Sequence, residues 1–306
     1  MAAATASGAI PVERVATLRS WMFVPTSPDR FVAKVPSLPV DAVMLDLEDG
    51  VLPSERPKGR ENLRRVLPEW SATAVPFVRI NGVDTGEWRD DAAAALGAAG
   101  VVLPKADSPA QVAELSAHLA EIERAAGLEV GVTTVVAAIE SSAGLLAASR
   151  TAAADPRVRA LLFGAEDYAL DLGLPLVREG AGADLLDARS TIATAARSAG
   201  VLPIDGVHTE MKDEAGLREQ SRLARSLGFS GKSLFHPSQI ATINECFAPT
   251  DAEVAFAREV VAAFEEAART SLQGAVAVGN HLVDLPIAER ARRLLDAAEE
   301  FARRDG

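Results

Sequence analysis

Short apolar, β-rich runs alternate with longer amphipathic stretches along most of the 306-residue chain. The runs predicted as strands are residues 21–24, 42–47, 77–80, 101–103, 134–139, 160–163, 204–207 and 233–235. The stretches that follow them predict helices at 29–35, 56–67, 86–96, 109–126, 143–153, 185–199, 214–227 and 238–246. Strands that alternate with helices form parallel sheets with right-handed crossovers. Eight such units favour a closed barrel, so the predicted fold class is α/β, a (β/α)₈ TIM barrel with a C-terminal helical extension.

The pattern changes after residue 248, which divides the chain into three predicted parts. Residues 1–17 predict a flexible N-terminus, residues 18–248 the catalytic barrel and residues 249–306 the C-terminal helical extension. In the extension, Thr250 and Asp251 suit a helix N-cap, residues 252–270 have helical spacing, a glycine-punctuated loop follows, and a last helix begins near Pro286. The extension is too short to build a core of its own. We therefore expect it to pack on the barrel or on a neighbouring subunit.

The charge and cysteine content narrow the classes of partner and compartment. The formal net charge is -12, which disfavours sequence-independent binding to nucleic acid and docking on anionic membranes. An anionic substrate would need a local basic pocket. Cys246 is the single cysteine, so no intrachain disulfide forms. Neither a signal-peptide pattern nor an apolar run of membrane-spanning length is present, and the sequence predicts a soluble cytoplasmic protein.

Polar residues follow nearly every predicted strand. In a (β/α)₈ barrel the carboxyl ends of the strands meet at one rim, where the active site forms. The residues at these positions are Asp46, Glu48, Asp49, Arg79, Asn81, Lys105, Glu140, Ser141, Ser142, Glu166, Asp167, His208 and His236. Together they predict a charged pocket above an apolar barrel.

Glu140 and Asp167 close the neighbouring strands five and six, so their carboxylates could converge. Mg²⁺ suits such a pair, because it takes oxygen ligands and keeps positions for water and substrate. The sequence offers no cluster of histidines and cysteines of the kind that Zn²⁺ prefers. In the alternative interpretation, each carboxylate caps a helix or pairs with a nearby arginine.

Arg79 ends a predicted strand and could clamp a substrate carboxylate. Alternatively, it forms a structural ion pair with Glu48 or Asp49. These two acids in turn are candidates for general bases, for groups that support the site, or for a solvated turn. Lys105 suits a phosphate contact or an ion pair better than a Schiff base, and His208 is a candidate acid–base group.

Several motifs occur in a specific order along the chain. They are RSWMFVPTSPDRFVAK, DAVMLDLEDGV, VRIN, VVLPKADSP, AAIESSAGL, LLFGAEDYALDLG, GKSLFHPSQI and GNHLVDLPIAERA. The set resembles the citrate lyase β-subunit-like group of the HpcH/HpaI aldolase/citrate lyase family, over roughly residues 19–295. The resemblance implies a (β/α)₈ barrel that assembles as a homotrimer or hexamer.

The resemblance also implies roles for the residues at the rim. Glu140 and Asp167 would be the Mg²⁺ ligands. Arg79 would contact the substrate carboxylate or the developing enolate. Glu48 and Asp49 would hold the metal-bound waters and Arg79 in place.

Three further residues match the family outside this group. Asp284 matches an acidic residue that related lyases supply from the C-terminal segment of a neighbouring subunit as general acid/base. A simple N-cap of the last helix is the alternative for Asp284. Arg30 and Lys34 lie where relatives contact coenzyme A, which is a looser match.

The function implied by the resemblance is that of a Mg²⁺-dependent carbon–carbon lyase. Its reversible aldol- or Claisen-type reaction would join or separate a 2-keto acid and an acyl-CoA thioester. The substrate would be a 3-hydroxy-carboxyacyl-CoA such as malyl-, citramalyl- or β-methylmalyl-CoA. The alternatives are a thioesterase on the same substrates, the β subunit of citrate lyase, and a non-catalytic scaffold barrel.

Overall fold

The computed structural model describes residues 17–176, 182–270 and 274–305. The chain forms two compact units whose boundary lies between Asn244 and Glu245. The predicted flexible N-terminus, residues 1–17, lies outside the described residues except for Thr17. Among the described residues, no helix is long and apolar enough to cross a membrane.

The first unit contains a closed barrel of eight parallel strands. The strands are β1 (Ser20–Pro25), β2 (Ala42–Asp46), β3 (Val75–Arg79), β4 (Gly100–Leu103), β5 (Thr134–Ile139), β6 (Val158–Phe163), β7 (Leu202–Asp205) and β8 (Gly231–Leu234). Each strand pairs with the next, and β8 pairs with β1 to close the barrel. The predicted fold class and all eight predicted strands are confirmed.

Helices follow the strands of the barrel from β2 onward. They are α1 (Arg56–Val66), α2 (Trp88–Ala94), α3 (Pro109–Ala125), α4 (Ser142–Ala152), α5 (Ala165–Asp171), α6 (Leu186–Ser198), α7 (Glu214–Ser226) and α8 (Ile240–Phe247). Two predictions need correction. The predicted helix at 29–35 is a 3₁₀ helix at Val32–Ser37, which contains Pro36, a residue without an N–H. The helix α5 is not among the predicted helices; a single residue separates it from the end of β6.

Every second residue along the strands points into the barrel, as the period of a β-strand requires. The residues that fill the interior include Trp21 on β1, Met44 on β2, Phe77 on β3 and Ala138 on β5. The rings of Trp21 and Phe77 lie 4.8 Å apart. This apolar column closes the barrel below its carboxyl rim, so polar groups one step further along the strands lie above it.

A buried ion pair ties α3 to the loop before β6. Arg157 donates from Nη1 and Nη2 to the two carboxylate oxygens of Glu123 at 2.8 and 2.6 Å. The backbone N–H groups of Gly131 and Thr133 donate to the same carboxylate. Burial alone would raise the pKa of Glu123, but these hydrogen bonds lower the pKa to about 2.

The second unit comprises α9 (Asp251–Thr270), β9 (Ala275–Val278), β10 (His281–Asp284) and α10 (Leu285–Asp305). Thr250 and Glu253 cap α9 reciprocally. The strands β9 and β10 form an antiparallel hairpin where the sequence analysis expected a loop. Gly279 supplies the positive φ of 55° that the turn requires. The unit also has a small apolar cluster of its own, made by Ala257, Val260, Val283, Ala288 and Ala291.

Candidate active site

Strand alternation carries three charged side chains to the mouth of the barrel. Ala42 and Met44 point inward from β2, so Asp46 is the next inward position; Arg79 follows Phe77 on β3 in the same way. Glu140 follows the inward Ala138 of β5. These three residues line one cavity of about 320 Å³.

Asp46 is the main partner of Arg79. Nε and Nη2 of Arg79 donate to the two carboxylate oxygens of Asp46 at 2.7 and 2.6 Å. The two residues are direct neighbours in the register of β2 and β3, which is why their side chains meet. Asp46 also accepts hydrogen bonds from the backbone N–H groups of Glu48 and Gly50. Asp46 is among the residues predicted at the rim but not among the predicted catalytic residues, although the alternation of residues 42, 44 and 46 indicates its inward position.

Glu48 joins the same network from the loop after β2. Its Oε2 lies 3.1 Å from Nη1 of Arg79, and its Oε1 accepts a hydrogen bond from Nζ of Lys105 at 2.6 Å. Burial would lower the pKa of Arg79, but the charges and hydrogen bonds of Asp46 and then Glu48 raise it. The guanidinium is therefore permanently charged and held on two sides. It also lies over the ring of Phe23, 4.6 Å from its centroid.

Asp49 lies outside this network. Its side chain is 60% exposed, and its carboxylate lies 3.8 Å from Nζ of Lys105. The structure therefore brings Glu48 to Arg79 and leaves Asp49 at the surface of the turn. The sequence predicts an ion pair of Arg79 with Glu48 or Asp49. In the part of the chain that the structure describes, Glu48 forms this ion pair and Asp49 does not.

Glu140 is buried against the backbone of β6. Its residue exposure is 6%, and Oε2 accepts a hydrogen bond from the N–H of Lys105 at 2.9 Å. A Cβ on Gly164 would lie 2.2 Å from Cγ of Glu140 and 2.6 Å from Oε1, so only glycine leaves room for this carboxylate. Burial, followed by the negative charge of Glu48, raises the pKa of Glu140 to about 7, with Arg79 opposing and Asp167 adding to the effect.

Lys105 reaches both Glu140 and Glu48 because its backbone is unusual. Its φ is 48°, the left-handed region that favours glycine. This conformation directs its N–H to Glu140 while its side chain extends to Glu48. Burial would lower the pKa of Lys105, but the hydrogen bond and charge of Glu48 raise it to about 12. The prediction of an ion pair at Lys105 is confirmed.

Asp167 lies in the first turn of α5 and not on strand six itself. Its side chain is half-buried and lines the same cavity as Glu140 and Arg79. Among the described residues, no group of three or more histidine, cysteine, aspartate or glutamate side chains could hold a metal ion. Glu140 and Asp167 are two carboxylates at this cavity that could hold a metal ion, with further positions left for water and substrate.

The remaining predicted site residues lie elsewhere. Arg30 and Lys34 are exposed; Arg30 borders a different cavity of about 310 Å³, and its guanidinium lies 5.1 Å from the ring centroid of Phe31. His236 precedes the 3₁₀ turn Pro237–Gln239, and its Nδ1 accepts from the N–H of Ser238. His208 is buried after β7, with Nε2 at 3.5 Å from Oδ2 of Asp213.

Asp284 belongs to the second unit. It ends β10, its side chain is exposed, and Oδ1 accepts a hydrogen bond from the N–H of Ile287 at 3.3 Å. Since α10 begins at Leu285, this contact has the geometry of an N-cap. The exposed carboxylate keeps lone pairs available for a further contact.

Comparison with known proteins extends the likeness over almost the whole chain. The sequence is 38% identical to citrate lyase subunit beta of Escherichia coli (strain K12) over 297 residues, 96% of this chain and 97% of that protein. It is 34% identical to an L-malyl-CoA/beta-methylmalyl-CoA lyase of Cereibacter sphaeroides (strain ATCC 17025) over 303 residues, 92% of this chain and 94% of that enzyme.

A solved structure shows the same fold. Protein CitE from Mycobacterium tuberculosis, in complex with magnesium, acetoacetate and coenzyme A, superposes with a TM-score of 0.75 at 34% identity. The superposition covers 93% of this chain and 99% of that one. Residues 19–237 match the sequence model of one family. The chain belongs to the HpcH/HpaI aldolase/citrate lyase family.

Proposed function

We propose that this protein is a Mg²⁺-dependent carbon–carbon lyase that cleaves or forms a 3-hydroxy-carboxyacyl-CoA by reversible aldol- or Claisen-type chemistry. The observation that carries the proposal is one cavity lined by Glu140, Asp167 and a rigidly held Arg79. Its relatives support the substrate class, since one is named for malyl-CoA and beta-methylmalyl-CoA and a solved neighbour contains magnesium and coenzyme A. The expected products are a 2-keto acid and an acyl-CoA thioester.

The residues present fit a magnesium ion. Glu140 is buried beside the carboxylates of Glu48 and Asp167, and this raises its pKa to about 7 by burial and like charge. A divalent cation would offset both the burial and the repulsion. Glycine at residue 164 leaves space for the Glu140 carboxylate, whose Oε2 is fixed by the N–H of Lys105. When bound between Glu140 and Asp167, Mg²⁺ supplies Lewis-acid polarisation of the substrate oxygens.

Arg79 is suited to neutralise the negative charge that develops on the thioester enolate. Its guanidinium is locked by Asp46 and Glu48, so it needs little reorganisation during the reaction. Preorganised cations of this kind stabilise the transition state more than the ground state. Glu48 and Asp49 would hold the metal-bound waters, and Glu48 also holds Arg79 through its ion pair.

The second unit, which contains the predicted extension of residues 249–306, would complete the site of a neighbouring subunit. Asp284 would protonate the enolate carbon in the cleavage direction and remove that proton in the condensation direction. Its exposed position at the start of α10 supports this role, because an exposed acid can be presented to another copy. A homotrimer or hexamer provides such a partner. Arg30 and Lys34, both exposed cations, would contact the phosphates of coenzyme A.

A second candidate is the β subunit of citrate lyase, which the 38% identity to the Escherichia coli protein favours. Product analysis separates it from the stand-alone lyase: a subunit of a larger complex would need its partners for turnover. Release of free coenzyme A without a keto acid would instead indicate the thioesterase. The cytoplasmic location and the absence of nucleic-acid binding stay predictions.

The test is turnover of malyl-CoA and β-methylmalyl-CoA with a Mg²⁺ titration, scored by the mass of the products. Glu140→Ala and Asp167→Ala should each lower the rate by about 10²–10³-fold, since several kcal/mol of metal-derived stabilisation are lost at 1.36 kcal/mol per factor of ten. Asp90→Ala, an exposed acid on α2, is the matched control and should retain the wild-type rate. Full activity in EDTA-treated protein would contradict the proposal.

A further inference from the structure

The active-site cavity has an apolar wall made by two aromatic residues. Phe23 lies on β1, and Phe235 is the residue directly after β8. These strands pair with Met22 next to Leu234, so Phe23 and Phe235 follow this pair at the same level of the rim. Both residues line the cavity. Since β1 and β5 are opposite members of the ring of eight strands, the apolar wall faces Glu140, which follows β5, across the mouth of the barrel.

Further apolar residues extend this lining. Leu162 on β6 is only 2% exposed, and Val207, two residues after β7, is half-buried. Pro25, the last residue of β1, is half-buried as well. All three line the cavity. A substrate held at Glu140 and Asp167 would therefore meet carbon atoms on the other side of the mouth.

The charges at the cavity limit the number of carboxylates that a substrate can carry. The acids that line it are Asp46, Glu140, Glu166 and Asp167. In the part of the lining that the structure describes, Arg79 is the one cation. Its guanidinium already faces two carboxylates, because Nε and Nη2 donate to Asp46 and Nη1 lies 3.1 Å from Glu48. A magnesium ion at Glu140 and Asp167 would balance those two acids, so the site would hold one further negative charge better than two.

The substituent of a keto acid would point toward the apolar wall. A 2-keto acid presents its carboxylate and the neighbouring carbonyl oxygen to the metal, so the third group on the carbonyl carbon points away from the metal. A second carboxylate at the end of that group would lie against Phe23 and Phe235, with no cation beside it among the described residues of the wall. Burial of an unpaired carboxylate is unfavourable, whereas burial of a methylene raises the affinity by about fourfold.

We propose that Phe23 and Phe235 determine the specificity of the site for the keto acid. They select a keto acid with one carboxylate and a short apolar substituent, and they reject keto acids with two carboxylates. This inference rests on the proposed lyase function and names the class of its keto-acid fragment.

Binding of keto acids to the whole protein tests this inference without requiring turnover. The ligands are 2-oxopentanoate and 2-oxoglutarate, whose chains of equal carbon number end in a methyl group and in a carboxylate, respectively. Isothermal titration calorimetry is carried out in MgCl₂ and again in EDTA. In MgCl₂ the wild type should bind 2-oxopentanoate at least about 10-fold more tightly than 2-oxoglutarate. From pyruvate through 2-oxobutyrate to 2-oxopentanoate, the affinity should rise by up to about fourfold per added carbon.

Two substitutions of Phe235 change the apolar wall in opposite ways. Phe235→Arg supplies the missing cation, and a position that is 38% exposed can accommodate the longer side chain. This variant should bind 2-oxoglutarate at least about 10-fold more tightly than the wild type does, and 2-oxopentanoate more weakly. Phe235→Ala should lose the rise in affinity from pyruvate to 2-oxopentanoate.

Val130→Arg is the matched control. It adds the same charge at a 47% exposed position in the loop before β5, at the opposite end of the barrel. This variant should keep the wild-type preference between the two ligands.

The possible outcomes separate this inference from the lyase proposal. Equal affinities of the wild type for the two ligands, or tighter binding of 2-oxoglutarate, would overturn the selection and leave the lyase proposal standing. If Phe235→Arg keeps the wild-type preference, Phe235 does not face the substituent and its assignment is wrong. Failure of every keto acid to bind in MgCl₂ would instead contradict the magnesium site, and with it both the lyase function and this inference.

Discussion

Replacing Asp46 with asparagine tests whether the fixed guanidinium of Arg79 is central to this site. Asparagine keeps the size and one acceptor oxygen, Oδ1, which in the wild type already accepts from Nε of Arg79 and the N–H of Glu48. The second oxygen becomes an amide that points at Nη2 of Arg79 and the N–H of Gly50. Two contacts in which Oδ2 accepts a hydrogen bond thus become contacts between two donors, in a buried position.

The size of the effect follows from these contacts. A hydrogen bond to a charged group contributes about 1.5–3 kcal/mol and a neutral one about 0.5–1.5 kcal/mol. Breaking a fully buried ion pair costs about 3–5 kcal/mol, but Glu48 remains 3.1 Å from Nη1 of Arg79 and offsets part of this. We therefore expect Asp46→Asn to lower the free energy of unfolding by about 3 kcal/mol. A displaced guanidinium should also lower kcat, by about 10²-fold for a shift of 1 Å.

Urea unfolding and steady-state cleavage of malyl-CoA measure the two effects separately. The matched control is Asp49→Asn, three residues away and 60% exposed, which should change the unfolding free energy by less than about 0.5 kcal/mol. A wild-type unfolding midpoint and a wild-type kcat in Asp46→Asn would refute the argument that Asp46 holds Arg79.

Three other substitutions extend the test. Gly164→Ala should displace the Glu140 carboxylate, lower kcat by at least about 10-fold and destabilise the fold by about 1–3 kcal/mol. Gly86→Ala is the control: a Cβ there meets open space, so kcat and the unfolding free energy should stay at the wild-type values in the same assays. Glu123→Gln tests the pKa of Glu123, which is lowered from 4.5 to about 2. The wild type should lose up to about 3 kcal/mol of unfolding free energy as the pH falls from about 5 to 2, and the variant should not show this loss. Parallel pH profiles of the two proteins would disprove the lowered pKa. Asp284→Asn keeps an oxygen for the N-cap but removes the acid. The kcat should therefore fall by about 10²-fold or more, while the Mg²⁺ affinity and the unfolding midpoint stay unchanged. A wild-type rate would rule out the acid–base role.

The order and type of the barrel elements could be predicted because they depend on local patterns. Strand periodicity and helical spacing are properties of consecutive residues, and all eight barrel strands follow from them. The short helix α5 and the hairpin β9–β10 could not be predicted in this way. A single residue separates the helix α5 from the end of β6, and most positions of β9 and β10 are exposed or half-buried, so neither has the bounded, buried run that marks a barrel strand.

The sequence by itself determined which charged residues reach the rim of the barrel, because the carboxyl ends of all the parallel strands meet at that rim. Only the tertiary structure decided which of them meet. Arg79 pairs with Asp46 because the register of β2 and β3 sets them side by side. Glu140 is buried because Gly164, the residue after β6, has no side chain and leaves space for the Glu140 carboxylate. Hydrogen bonds and Coulomb interactions depend on distances between atoms far apart in the chain, and those distances exist only once the barrel has closed.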